Sequence, residues 1–142
     1  MNGYHLKTMK RLLAGALCAA LCTIGCGDPV APATPTPATP TIPETFTGTV
    51  LPLGTSMNTF TVQQIGLIQV SLTGVTPSAS VGIGVGTPSG ANCLLLDNLT
   101  VVAGPTAQMS GTATVTGTFC VAVFDPGNLV EAVNYTVVVL HS

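Results

Sequence analysis

Few side chains in this chain of 142 residues are of a type that does chemistry. After Arg11 there is no Lys or Arg, and the acids that follow are Asp28, Glu44, Asp97, Asp125 and Glu131. Two carboxylates across a turn can act as acid and base on a glycosidic bond, and Asp125 and Glu131 flank the turn Asp125-Pro126-Gly127-Asn128. A small hydrolase using either acid is one reading. Acids at such turns more commonly serve as turn residues facing water, and that is the role expected here. Calcium would draw on Asp125, Asn128 and Glu131, well short of the roughly six to eight oxygens it takes, so no metal and no other cofactor is expected. Nucleophilic catalysis needs a positioned base. His141, next to the C-terminus, is expected to be a solvated end rather than that base. Gly82, Gly84 and Gly86 alternate along one segment with no Lys nearby, which marks flat packing or close backbone approach and not a phosphate loop. The chain is therefore expected not to be an enzyme.

Composition narrows the partners. Charged residues make up 6% of the chain, against about 25% in an average soluble domain. Lys7, Lys10 and Arg11 are the only basic residues. Nucleic-acid binding, which needs cations to displace counterions, is excluded for everything after them. A coiled coil without charged flanking faces is equally implausible. Sugar recognition usually rests on an aromatic platform. There is no Trp, which leaves one of Phe119 and Phe124, or Tyr135, as the ring to be displayed.

The beginning of the chain has the form of an export signal. The basic stretch Lys7–Arg11 precedes an apolar run, Leu12–Ile24, of 13 residues. A lasting membrane span needs about 20, so residues 1–25 read as a signal peptide. The run closes with Leu21-Cys22-Thr23-Ile24-Gly25-Cys26, which resembles the lipobox of bacterial lipoproteins. Gly25 and Cys26 match its two central positions, and Thr23 stands where the family usually has Leu. The resemblance implies lipid attachment at Cys26 and a membrane as partner through that lipid. Residues 26–44 follow as a tether. From Asp28 to Pro43 its Pro alternates with Thr and Ala, and Pro fixes φ and donates no hydrogen bond. An extended, solvated stalk reaching up to roughly 50 Å is expected.

Residues 45–142 read as one all-β domain. Strands are expected at Thr45–Val50, Asn58–Gln63, Leu67–Leu72, Ser80–Val85, Cys93–Val102 with an irregular middle at Asp97-Asn98, Gln108–Thr116, Thr118–Phe124 and Asn134–Leu140. Their period is two: Ile68, Val70 and Leu72 alternate with Gln69 and Ser71, and Tyr135, Val137 and Val139 share a face. Such strands bury one side and wet the other. About eight of them make two antiparallel sheets packed face to face. Thr112, Thr114, Thr116 and Thr118 form one Thr row, and Thr45, Thr47 and Thr49 another, as expected of wet faces without charge. Cys93 and Cys120 have one pairing open to them after export into an oxidising compartment, the alternative being two buried thiols.

The stretch Gly117-Thr118-Phe119-Cys120-Val121-Ala122-Val123-Phe124-Asp125, then Gly127-Asn128-Leu129 and Val133-Asn134-Tyr135-Thr136-Val137, resembles the end of a bacterial pre-peptidase C-terminal domain. Phe46-Thr47-Gly48-Thr49-Val50 and Phe60-Thr61-Val62 resemble its opening strands. The resemblance implies a jelly-roll-like sandwich without catalytic residues of its own. Together these readings describe a cell-envelope lipoprotein, held outside the cytoplasm by its lipid or else secreted. It would present a binding or display module to an envelope protein or polysaccharide. The alternatives are a self-assembling structural or adhesion subunit, whose strand edges no Lys protects, and a carbohydrate-binding module.

Overall fold

The computed structural model describes Thr39 and residues 42–142. The expected signal peptide, Cys26 and nearly all of the expected tether lie outside the described residues. Eight strands form: β1 (Ile42–Val50), β2 (Thr55–Val62), β3 (Gly66–Thr76), β4 (Val81–Ser89), β5 (Asn92–Val101), β6 (Met109–Ala113), β7 (Gly117–Phe124) and β8 (Val133–His141). One sheet has the order β1-β8-β3-β6 and the other β2-β7-β4-β5. Every pairing is antiparallel and nested: β1 with β8, β2 with β7, β3 with β6, β4 with β5. This is the topology of a long hairpin, closed at β4–β5, rolled over into two layers, the jelly roll.

The core follows from the alternation. Val133, Tyr135, Val137 and Val139 of β8 and Ile68, Val70 and Leu72 of β3 face Phe60, Val62, Val81, Ile83, Phe119, Val121 and Val123 of the other sheet, all buried. Branched Val and Ile dominate because they fit a pleated, half-buried surface with little rotamer loss.

Several boundaries differ from the sequence reading; β2 begins earlier, at Thr55, and β3 runs on to Thr76, and three further differences matter most. The body begins at Ile42, so Pro43 and Glu44 pair in register with Leu140 and Val139 and belong to the sheet, not to the tether. Strand β4 runs on through Pro88 to Ser89. Strand β6 stops at Ala113, since the chain must cross to the other sheet before β7. Val115 is therefore exposed, and the Thr112–Thr118 row is divided between β6, a crossing segment and β7 instead of forming one ladder. The irregularity expected in β5 is a bulge: Val85 opposes Asp97 and Gly86 opposes Leu95, leaving Leu96 as the extra residue.

The glycines of β4 are sites of close approach. The ring of Phe124 lies over Gly82, the Leu95 side chain over Gly84, and the backbone of Leu94 and Leu95 over Gly86. The start of β5 is thereby drawn across the outer face of its sheet towards β7. That brings Cys93 and Cys120 to a Cα–Cα distance of 5.8 Å, and they form a disulfide.

The two sheets are also joined by a polar contact. Tyr135 on β8 is 2% exposed. Its hydroxyl lies 2.8 Å from Ser56 Oγ and accepts from Asn58 Nδ2 at 3.0 Å, both on β2. The ring passes over Gly48 of β1, where a Cβ would stand 2.6 Å from the tyrosine oxygen. Tyr135 is thus not a display ring; it spans the sandwich.

Tyr135→Phe should lower the unfolding free energy by about 1–3 kcal/mol, the cost of leaving Ser56 and Asn58 without their buried partner. Gly48→Val should cost more, because it drives a side chain into that ring. Urea denaturation reads both, and a Gly48→Val chain as stable as the parent would contradict the packing. Reducing the disulfide, which joins residues 27 apart, should lower stability by roughly 3.5 kcal/mol in the chain-entropy picture. An unchanged urea midpoint after reduction would argue against that contribution.

Candidate functional site

The residues that the sequence nominates for chemistry fall at opposite ends of the sandwich. Where β1 begins and β8 ends lie Glu44 and His141. At the other end, three connections meet: the β1–β2 turn, the β3–β4 loop and the β7–β8 loop.

Asp125 organises the second end. As β7 finishes, the Asp-Pro-Gly-Asn sequence turns the chain, with Gly127 at φ 101° where a Cβ would be strained. Asp125 Oδ1 accepts from the backbone N–H of Gly127 at 2.7 Å, Asn128 at 2.9 Å and Leu129 at 3.1 Å. Its Oδ2 accepts from Leu53 N–H at 2.8 Å, in the turn between β1 and β2. The backbone N–H of Leu53, with those of Leu129, Asn128 and Gly127, holds the carboxyl at about 2, below its ordinary 3.8, against an opposing pull from desolvation. A carboxylate surrounded by four N–H dipoles is the acceptor of a backbone nest; those dipoles repel a cation and leave no proton to give at neutral pH.

The neighbours of Asp125 are placed differently. Asn128 Nδ2 donates to Ser80 O at 3.1 Å and Ser80 Oγ at 3.2 Å, which ties the β7–β8 loop to the start of β4. Glu131 is exposed beyond it, on the rim of a hollow lined also by Pro77, Ala79 and Val130. Asp125, Asn128 and Glu131 do share one end of the body, as their spacing suggested, but the first two are committed to holding loops together. Among the described residues no group of three or more His, Cys, Asp or Glu is placed to hold a metal ion.

That loop work has a visible result. Leu51-Pro52-Leu53-Gly54 is a tight turn closed by Gly54 N–H to Leu51 O at 2.8 Å, with Leu53 at φ 59°. A leucine in the left-handed region is costly, and the Asp125 bond to its N–H holds it there. Its side chain is 86% exposed, and Val130 on the adjoining loop is 94% exposed.

His141 is the main correction to the sequence reading. It is 1% exposed, not a solvated end. The alternation of β8 carries it inward, and its ring packs against Phe60 with centroids 5.2 Å apart. Its Nε2 lies 2.7 Å from Glu44 Oε1, across the β1–β8 pair. Its Nδ1 has no hydrogen-bond partner among the described residues. Ser142 beyond it is also held, its carbonyl oxygen accepting from Gln63 N–H at 3.0 Å and its hydroxyl donating to Gln64 O at 2.9 Å. The C-terminus is stitched into the body, so proximity to the end of the chain was a poor guide to exposure.

A cleft along one flank has no signal in the residues alone. There the edge strands β5 and β6 of the two sheets face each other across an opening of about 120 Å³. Ile68, Val85, Met109, Ala113 and Phe119 line it, with Leu96 and Asp97 from β5 also on its wall. Asp97 opposes the inward Val85, so the alternation of β5 aims it at the gap between the layers. Phe119 is only 7% exposed and Phe124 is half-buried. Among the described residues no aromatic ring stands exposed as a sugar platform would require.

No family model matches the chain, and no curated protein matches it.

Replacing Asp125 by Asn should destabilise the body at neutral pH. The sign follows from the lowered pKa: folding favours the ionised form, so this contribution is complete above 3.8 and is lost as pH falls towards 2. Thermal melts between those two values should show the parent losing stability that Asp125→Asn lacks to begin with. Parallel pH profiles for the two chains would contradict the assignment.

Proposed function

We propose that this chain is a non-catalytic cell-envelope lipoprotein: a lipid at Cys26 anchors it, the Pro/Thr segment lifts it, and the jelly-roll body presents a binding or display surface outside the cytoplasm. The observation that carries the non-catalytic part is how the reactive groups are spent. Asp125 is saturated by backbone N–H groups, His141 is buried against Glu44, and Asp97 and Glu131 lie on separate strands and loops without a partner base. The Cys93–Cys120 disulfide supports a destination where disulfides persist. The eight-stranded jelly roll agrees with the resemblance to the pre-peptidase C-terminal domain, which implies the same architecture and no chemistry of its own.

The basic stretch, the short apolar run and Gly25-Cys26 support anchoring. Lipid chains contribute about 0.8 kcal/mol per buried CH₂, and more than one chain on a single Cys holds stably. Labelling bacteria with a palmitate analogue should mark the parent chain and not Cys26→Ser, with the parent in the membrane fraction. Equal label in both would end the anchoring reading. Release of the unlabelled parent into the medium would support plain secretion in its place.

A further inference from the structure

Four strands are sheet edges, and they are not equally guarded. On β1 the edge carries Pro43 and Glu44, both of which discourage pairing. On β5 it is broken by the bulge at Leu96. On β2 the edge is uncharged, but the space between the layers beside it is filled by Tyr135 and its bonds to Ser56 and Asn58. Strand β6, Met109–Ala113, is different. It pairs with β3 on one side and, among the described residues, with no strand on the other. Ser110, Gly111 and Thr112 are exposed, with no charge, Pro or bulge among them. Beside it the sandwich stands open, with Met109, Ala113 and Phe119 on the wall of the cleft.

An unpaired backbone edge next to an apolar opening selects an extended peptide. Main-chain bonds to the edge hold it, and alternate side chains enter the opening. The cleft, about 120 Å³, is of the order of the roughly 150 Å³ cavity that takes up benzene, so one branched aliphatic side chain fits. Charge sets the remaining feature. Asp97 stands at the cleft with its carboxylate bonded, among the described residues, only to the adjacent Asn98 N–H, at 2.9 Å. No Lys or Arg occurs anywhere after Arg11. The complementary peptide carries a basic residue beside its aliphatic ones. A second copy of the body has none to offer, and an acidic peptide would be repelled.

Resting on the binding-module reading and giving it a site, we propose that β6 receives an extended, aliphatic peptide bearing a Lys or Arg. The peptide adds as a fifth strand to the β1-β8-β3-β6 sheet, with an aliphatic side chain in the cleft and the cation facing Asp97.

Hydrogen exchange followed by mass spectrometry, on the full chain in lipid nanodiscs, tests this with the acetylated, amidated peptide Thr-Val-Thr-Val-Thr-Lys, whose Val and Lys side chains share one face. Exchange across residues 109–113 should slow, with half-saturation below about 1 mM. Ending the peptide in Glu should weaken binding about threefold, the scale of one rim charge pair, and Asp97→Asn should abolish that difference. Ala113→Phe should weaken binding roughly tenfold or more by filling the space of one aliphatic side chain. Should Ala113→Phe fail to fold, Asp97→Asn alone decides. No protection of β6 by the peptide, full binding to Ala113→Phe, or equal binding of the Lys and Glu peptides to the parent would overturn the proposal. So would protection that needs no peptide and grows with protein concentration, which would assign the edge to a second copy. None of these results bears on palmitate labelling at Cys26, so the site and the anchored display reading fail separately.

Discussion

A carboxylate needs a partner, and the body of this protein has no Lys or Arg side chain to supply one. From residue 42 on, the charged side chains are Glu44, Asp97, Asp125 and Glu131, with His141 the one ionisable base. The fold answers with what it has. Asp125 turns to backbone N–H groups and gathers four of them from two connections. Glu44 meets the imidazole of His141. Glu131 stays in water, and Asp97 stays at the mouth of a cleft. The first two arrangements stabilise the body at its two ends, one where β1 begins and β8 ends and one at the loops where β1 ends. The last two leave negative charge on display.

The same scarcity shapes the layers. Without ion pairs the sandwich relies on apolar burial, on the Tyr135 bridge between sheets and on the disulfide across the outer face. Edge protection follows suit. Lys, the usual guard of an exposed strand, is missing, and Pro43, the Leu96 bulge and the Tyr135 filling do that work elsewhere. Gln108 covers part of the remaining edge of β3, its amide accepting from Leu72 N–H at 2.7 Å and donating to Leu72 O at 3.3 Å, so that a side chain continues the pairing where β6 has not yet begun. Among the described strands only β6 is left with an open backbone and an open core beside it.

Much of this was legible in the residues. The two-residue period of Val, Ile and Thr announces strands and their inner faces, because a pleated sheet sorts alternate side chains to opposite sides. Asp-Pro-Gly-Asn announces a turn by its own stereochemistry. Cysteines limited to one pairing announce the disulfide. What could not be read depends on which strands become neighbours. Glu44 lies on the inward side of β1 by simple alternation, yet only the β1–β8 pairing brings His141 to it. Leu53 looks like an ordinary loop leucine, and its left-handed backbone makes sense only beside Asp125, far along the chain. The glycines of β4 could be read as gaps but not as gaps filled by Phe124 and Leu95. The alternation that would carry β6 on to Thr116 continues where the chain has already left the sheet.

The claim at the centre is that backbone amides, standing in for absent basic side chains, neutralise a carboxylate and thereby lock two loops together. Carbon-detected NMR of the side-chain carboxyl groups through an acid titration tests it most directly. Asp125 should titrate at about 2, with the amide signals of Leu53, Gly127, Asn128 and Leu129 moving in step. An Asp125 carboxyl that titrates at its ordinary 3.8 while those four amides stay still would contradict the account.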